Sequence, residues 1–266
     1  MLLLAFSIAV APCQWWRLLK EKRLNADAPT SPLRTGTSSS IMARSPSRAG
    51  RGKTAIDRQS INQAEYLGGA RITGSIIPHT MEFAWPAPLY SYDPAKAKAL
   101  LAEAGYPNGF EGGAIAVDMA YMTVLEAAAN YLQAVGIRVT VRGLERAGFL
   151  KENAEKKLRP LVRTASGAPG NASTRLEAFV ISEGAYAYGG YPDIDGLFRE
   201  QVGETDRKKR EAILHRIQQL MHERVMFLPM LEPAFLNGVG PRVAESGLGL
   251  ITNHLYSAPF EDLKLK

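Results

Sequence analysis

The chain has 266 residues, 46% of them hydrophobic, which is enough for one large domain or two smaller ones with a real core. Its net charge of +6 is concentrated at one end: residues 1–54 hold nine Lys and Arg against two acids, so the remainder is close to neutral and carries no nucleic-acid footprint. One cysteine, Cys13, excludes an intramolecular disulfide, and cysteine usage therefore does not identify a compartment.

Met1 to Val10 is apolar but too short to span a bilayer, and no basic residue precedes it. Pro12 stands before Cys13 where a lipoprotein signal needs a small residue, so the N-terminus reads as a poor signal peptide. The Ser-, Thr-, Pro- and Arg-rich stretch from Asn25 to Thr54 completes a basic leader, residues 1–54, predicted to be disordered because it has too little apolar surface to offset ordering. Within it SRAGRGKT ends like a phosphate loop. Ser47 replaces the first glycine and no strand precedes it, so no nucleotide site is expected.

The character of the chain changes at Ala55. Pro78 to Tyr92, PHTMEFAWPAPLYSY, reads as a proline-punctuated loop in which Trp85 either faces a ligand or packs onto the domain. Asp93 and Pro94 then suit the N-cap and first position of a helix whose Ala97, Leu100, Leu101 and Ala104 share a face, with Gly105 as its stop. Ile115 and Val117 alternate as a strand. Val124, Leu125, Ala128, Leu132 and Val135 mark a second helix closed by Gly136, and Ile137, Val139 and Val141 form a second strand, completing a βαβ unit.

Arg146 to Leu158 reads as a short charged helix, Ser166 to Ser173 as a loop, and Glu177 to Gly184 as a strand. AYAYGGYPDIDGLF follows. It groups Tyr186, Tyr188 and Tyr191 around glycines, suited to stacking on and hydrogen-bonding a polar-organic ligand. Asp193 and Asp195 stand at a helix start, where capping is their plain structural role. Thr205 is expected to cap the longest helix, with Ile213, Ile217, Leu220, Met221 and Val225 on its buried side. Its His215 and His222 are two turns apart, too far for joint chelation, and no metal or cofactor is expected. MFLPMLEPAFLNGVGP reads as strand, proline break and strand.

The run YDPAKAKALLAEAGYPNGF, then GIRVTV, GGYPDIDGLFREQ, the long basic helix and FLPMLEPAFLNGVGPRV resemble, in that order, the family 5 extracellular solute-binding proteins of bacterial ABC importers, from about Ile56 to Lys266. The resemblance implies an α/β fold, a mixed sheet flanked by helices, like the C-terminal lobe of a two-lobe periplasmic receptor. It implies a solute-binding lobe at 55–240 and a tail, 241–266, that returns to a first lobe. Members carry a long portion ahead of the matching part, which the leader replaces here, through either a truncated or frame-shifted gene product or a genuine variant; the absence of periodicity and caps in the leader favours the former. Peptide-binding members place an aspartate shortly before the Pro-Asp pair. Tyr188 to Tyr191 stand there instead, which points toward a modified peptide, an opine-like conjugate or a glycan-linked compound.

Nucleophile elbows, zinc-protease signatures and paired cysteines are missing from the sequence, so it reads as a binder and not an enzyme. The expectation is a periplasmic substrate-binding component, truncated, serving a membrane permease and monomeric when complete, with Tyr186, Tyr188, Tyr191, Asp193 and Trp85 as substrate contacts. The alternative is a non-binding remnant or partner-interaction module that keeps one lobe.

Overall fold

The computed structural model describes residues 33–34, 38–43, 53–158, 160–166, 170–235, 239–248, 250 and 258–266. The N-terminal apolar run, Cys13 and most of the glycine-rich SRAGRGKT stretch lie outside them.

The predicted βαβ unit forms as read. Asp93 accepts a hydrogen bond from the Lys96 N–H at 2.8 Å to start helix α2 (Pro94–Glu103), which buries Ala97 and Leu101. Strand β4 (Phe110–Asp118) leads through a 3-10 turn (Met119–Tyr121) into α3 (Met122–Ala134), and β5 (Ile137–Leu144) pairs parallel to β4. Gly109, at φ +74°, makes the joint possible. A Cβ there would sit 1.9 Å from the carbonyl oxygen of Gly136, which instead accepts the Phe110 N–H at 3.0 Å.

The remaining strands are β1 (Leu33–Arg34), β2 (Ser38–Ala43), β3 (Arg71–Ile72), β6 (Leu161–Ser166), β7 (Phe227–Glu232), β8 (Ala234–Phe235), β9 (Val243–Glu245) and β10 (Lys264–Leu265). The main sheet runs β3-β7-β2-β6-β4-β5, and the pairs β1–β8 and β9–β10 stand apart from it. Helices α1 (Arg58–Tyr66), α2 and α3 cover one face, and α4 (Arg146–Ala154), α5 (Ala172–Phe179), α6 (Pro192–Gly203) and α7 (Arg207–Glu223) cover the other. Strand alternation feeds both cores: Ile115 and Val117 enter the first, and Ala116 between them enters the second. Each fully buried Leu or Ile, such as Leu125, Leu176 or Ile194, contributes about 2 kcal/mol. The expected α/β architecture with a helix-flanked mixed sheet is therefore the fold of this chain.

Four readings change. The leader is not without structure at 38–43: β2 lies between β6 and β7 and bonds antiparallel to both. Its serines show no apolar alternation because neighbours on either side satisfy its backbone. The strand expected at Glu177–Gly184 is instead the end of α5 and a turn; the Asn171 side chain accepts the Ser173 N–H at 3.0 Å and starts a helix that buries Leu176 and Phe179. Strand β6 forms where the sequence shows no strand pattern, since Arg163 interrupts its apolar run. Asp206, not Thr205, caps α7 by accepting the Lys209 N–H at 3.0 Å, and Leu214 joins the predicted buried face while Ile213 is only partly covered.

Candidate functional site

β4, β5 and β6 run parallel, and β7 runs with them because each is antiparallel to β2 or parallel to its neighbour. Their carboxyl ends, Asp118, Leu144, Ser166 and Glu232, therefore share one edge of the sheet. In open α/β sheets this is the edge outside which ligands sit.

Asp118 ends β4 at 7% exposure. One carboxylate oxygen accepts the Ala120 N–H at 3.1 Å, and the other accepts from Arg146 Nη1 at 3.0 Å. The Arg146 side chain is 69% exposed, so its outer N–H groups face solvent. Beside this pair the buried Arg163 guanidinium lies 3.6 Å from the centre of the Tyr121 ring. Burial pushes Arg163 below its ordinary value, and Tyr121, Tyr66 and Asp118 partly offset that. Met119 projects from the same turn, and Gly143 leaves space for Met122, whose sulfur would lie 2.4 Å from an added Cβ. Farther along the edge, His79 Nδ1 meets the buried Glu232 carboxylate at 2.5 Å, and the His79 N–H donates to its other oxygen at 3.2 Å. The edge thus offers an open guanidinium, an aromatic plate and a thioether ledge, which suit a polar-organic solute carrying negative charge.

The residues singled out from sequence lie elsewhere and do not form one cluster. Tyr188 donates to the Asn153 side-chain oxygen at 3.0 Å, beneath Lys156 Nζ at 5.4 Å from its ring. Asn153 is in the last turn of α4 and Lys156 just past it, toward the opposite edge of the sheet. Tyr191 precedes α6 with the Arg224 guanidinium 4.4 Å from its ring centre. The same guanidinium forks Asp193, with one bond at 2.8 Å, and that hydrogen bonding holds the Asp193 carboxyl down at about 2. Asp195 accepts the Ser182 N–H at 2.9 Å and ties the loop to α6. Tyr186 is exposed and stacked on Phe179 at 5.0 Å. Trp85 lies against α7: its backbone N–H donates to the Gln218 side-chain oxygen at 2.9 Å, and its ring meets His222 edge-on at 5.7 Å.

His222 is also stacked on Tyr90 at 4.6 Å, with the Tyr90 hydroxyl 3.1 Å from its Nδ1. Burial, then Lys53, push His222 down, while the Gly74 carbonyl and Glu223 pull the other way. Burial raises Tyr90 to about 12 against the opposing Arg58. The folded chain thus favours neutral His222, whereas the unfolded chain takes up the proton near pH 6.5. Stability is expected to fall as pH drops through about 6.5. Thermal midpoints between pH 8 and 5 read this, and His222→Gln should flatten the slope.

Among the described residues no helix is long and apolar enough to cross a membrane, and no three His, Cys, Asp or Glu gather as metal ligands. The sequence carries a signal for the carboxyl edge: the alternation through Val117 ends on Asp118, followed by Met119, Ala120 and Tyr121.

The profile of bacterial extracellular solute-binding proteins, family 5 Middle, matches residues 53–187. Heme-binding protein A of Haemophilus influenzae is 27% identical over 205 residues, covering 71% of this chain and 37% of that protein. The dipeptide-binding protein of Escherichia coli is 26% identical over 227 residues, covering 80% and 41%. Among solved structures, NikA from Brucella suis in complex with Fe(III)-EDTA superposes with a TM-score of 0.79 at 19% identity, covering 97% of this chain and 56% of that one. HbpA2 from Haemophilus parasuis gives 0.77 at 19% identity, covering 97% and 53%. The chain spans well under half the length of these curated relatives and about half of these solved structures. With the profile spanning half the chain and the fold shared along nearly all of it, this chain belongs to the family 5 bacterial extracellular solute-binding proteins.

Proposed function

We propose that this chain forms one wall of a solute cleft in the substrate-binding component of an ABC importer, and that the carboxyl edge of its sheet faces the solute. The observation that carries the reading is the Asp118–Arg146 pair beside Tyr121 and Arg163 at that edge, in a family whose relatives are named for binding dipeptides and heme. Capture requires no chemistry on the solute; two walls closing about a hinge would hold it and present it to a permease. The solute class is peptides or related polar-organic compounds, opine-like conjugates included, and the working location is the periplasm.

Contacts from one wall give weak capture. For the isolated chain, dissociation constants for di- and tripeptides on the order of 1 mM are expected by NMR titration. Arg146→Ala should weaken binding about tenfold through loss of a charge-assisted hydrogen bond. Tyr188→Phe, whose hydroxyl is engaged with Asn153, should leave it unchanged. Unaltered binding in Arg146→Ala together with loss in Tyr188→Phe would move the site to the tyrosine loop, and micromolar binding by the isolated chain would overturn the single-wall reading.

A further inference from the structure

At the start of α1, away from the carboxyl edge, Arg58 is 3% exposed. Its Nε donates to the Pro229 carbonyl at 2.7 Å, and its Nη1 donates to the carbonyls of Lys53 at 3.1 Å and Ile56 at 3.3 Å. Its Nη2 is buried and has no acceptor. Among the described residues no carboxylate stands within ion-pair distance of it, and Asp57, its sequence neighbour, is committed to Ser60. Burial lowers Arg58 to about 10, with Tyr90 opposing. A buried guanidinium left without a counter-charge costs several kcal/mol, and three neutral carbonyls offset only part of that.

A second orphan lies in the same turn. Thr54 is 4% exposed and its hydroxyl has no partner, although its backbone oxygen accepts the Asp93 N–H at 2.8 Å. The peptide group joining Lys53 to Thr54 is the one whose carbonyl receives Arg58 Nη1, so the two idle donors flank one short piece of backbone. Lys53 adds a further positive charge, its Nζ lying 5.5 Å from the Tyr90 ring centre, with Arg58 Cζ 5.8 Å from the same ring. Two buried donors and two cations adjoin this turn, while the Asp57 carboxylate is turned to the Ser60 N–H and hydroxyl at the start of α1.

We propose that the Lys53–Arg58 turn is a binding site for a small inorganic anion of halide size, held by Arg58 Nη2 and the Thr54 hydroxyl. An anion satisfies both donors and neutralises the guanidinium, whereas a water satisfies the donors but leaves the charge.

Two measurements on the full chain decide it. In crystals soaked in sodium bromide, an anomalous peak is expected in contact with both Arg58 Nη2 and Thr54 Oγ1. In solution, the thermal midpoint should rise saturably in sodium chloride but not in sodium gluconate at equal ionic strength, since a ligand of the native state stabilises by mass action. Thr54→Val keeps the side-chain shape and should raise the half-saturating chloride concentration about tenfold. Arg58→Met should abolish the chloride response, and if it fails to fold, Thr54→Val carries the test. An ordered water in place of bromide, equal midpoints in the two salts, or a bromide peak without chloride dependence, which marks an adventitious ion only, would each overturn the proposal.

Discussion

Ile41→Pro is expected to lower the unfolding free energy by on the order of 3 kcal/mol, a large part of what a domain of this size holds. Ile41 lies midway along β2, opposite Arg163 on β6 and Leu228 on β7, where the strand is paired on both edges. Proline removes a ladder donor, strands the facing carbonyl in a buried sheet and restricts the preceding residue, and central strands do not accept it. Urea denaturation read by far-UV circular dichroism should show the midpoint displaced with its slope retained. An unchanged midpoint would mean that β2 is dispensable and that β6 and β7 tolerate open edges.

That strand also shows where reading the sequence stopped short. Helices α2 and α3 and strands β4 and β5 were legible because their signals are local: Asp93 caps, Pro94 enters, Gly136 stops, and the apolar spacing agrees with each. Ser38–Ala43 has no such signal. Its place follows from a slot between β6 and β7, formed by residues more than a hundred positions away. The same holds for α5, where a short apolar run suits a strand and a helix equally, and the Asn171 cap decides between them.

The candidate site was half legible for a related reason. Composition alone makes Tyr186, Tyr188, Tyr191 and Asp193 look like ligand contacts. Whether such groups are available depends on distant partners: Arg224 takes up Asp193 and covers Tyr191, and Asn153 takes up Tyr188. The division between 55–240 and a returning tail remains our proposal, and the β9–β10 pair, which joins Val243–Glu245 to Lys264–Leu265, is the element on which to test it.

His79→Ala is expected to cost about 2 kcal/mol, the penalty for leaving a buried carboxylate oxygen without its hydrogen-bond partner. The Glu232 side chain is 3% exposed and faces Arg71 across the β3–β7 ladder. His79 supplies both its ring nitrogen and its backbone N–H to the two carboxylate oxygens. Alanine keeps the backbone donor and strands the other oxygen. Glu232→Gln keeps an acceptor for the His79 N–H and removes the charge, so a smaller loss of about 1 kcal/mol is expected. In a double-mutant cycle by urea denaturation the two changes should couple by more than about 1 kcal/mol, because once the carboxylate is gone the ring has little left to satisfy. The pair joins the segment after β3 to the end of β7, at the same carboxyl edge as Asp118 but separated from it by β2 and β6. Coupling therefore measures how firmly that wall of the proposed cleft is held. Strict additivity would show that His79 and Glu232 act separately and that the wall owes its rigidity to packing alone.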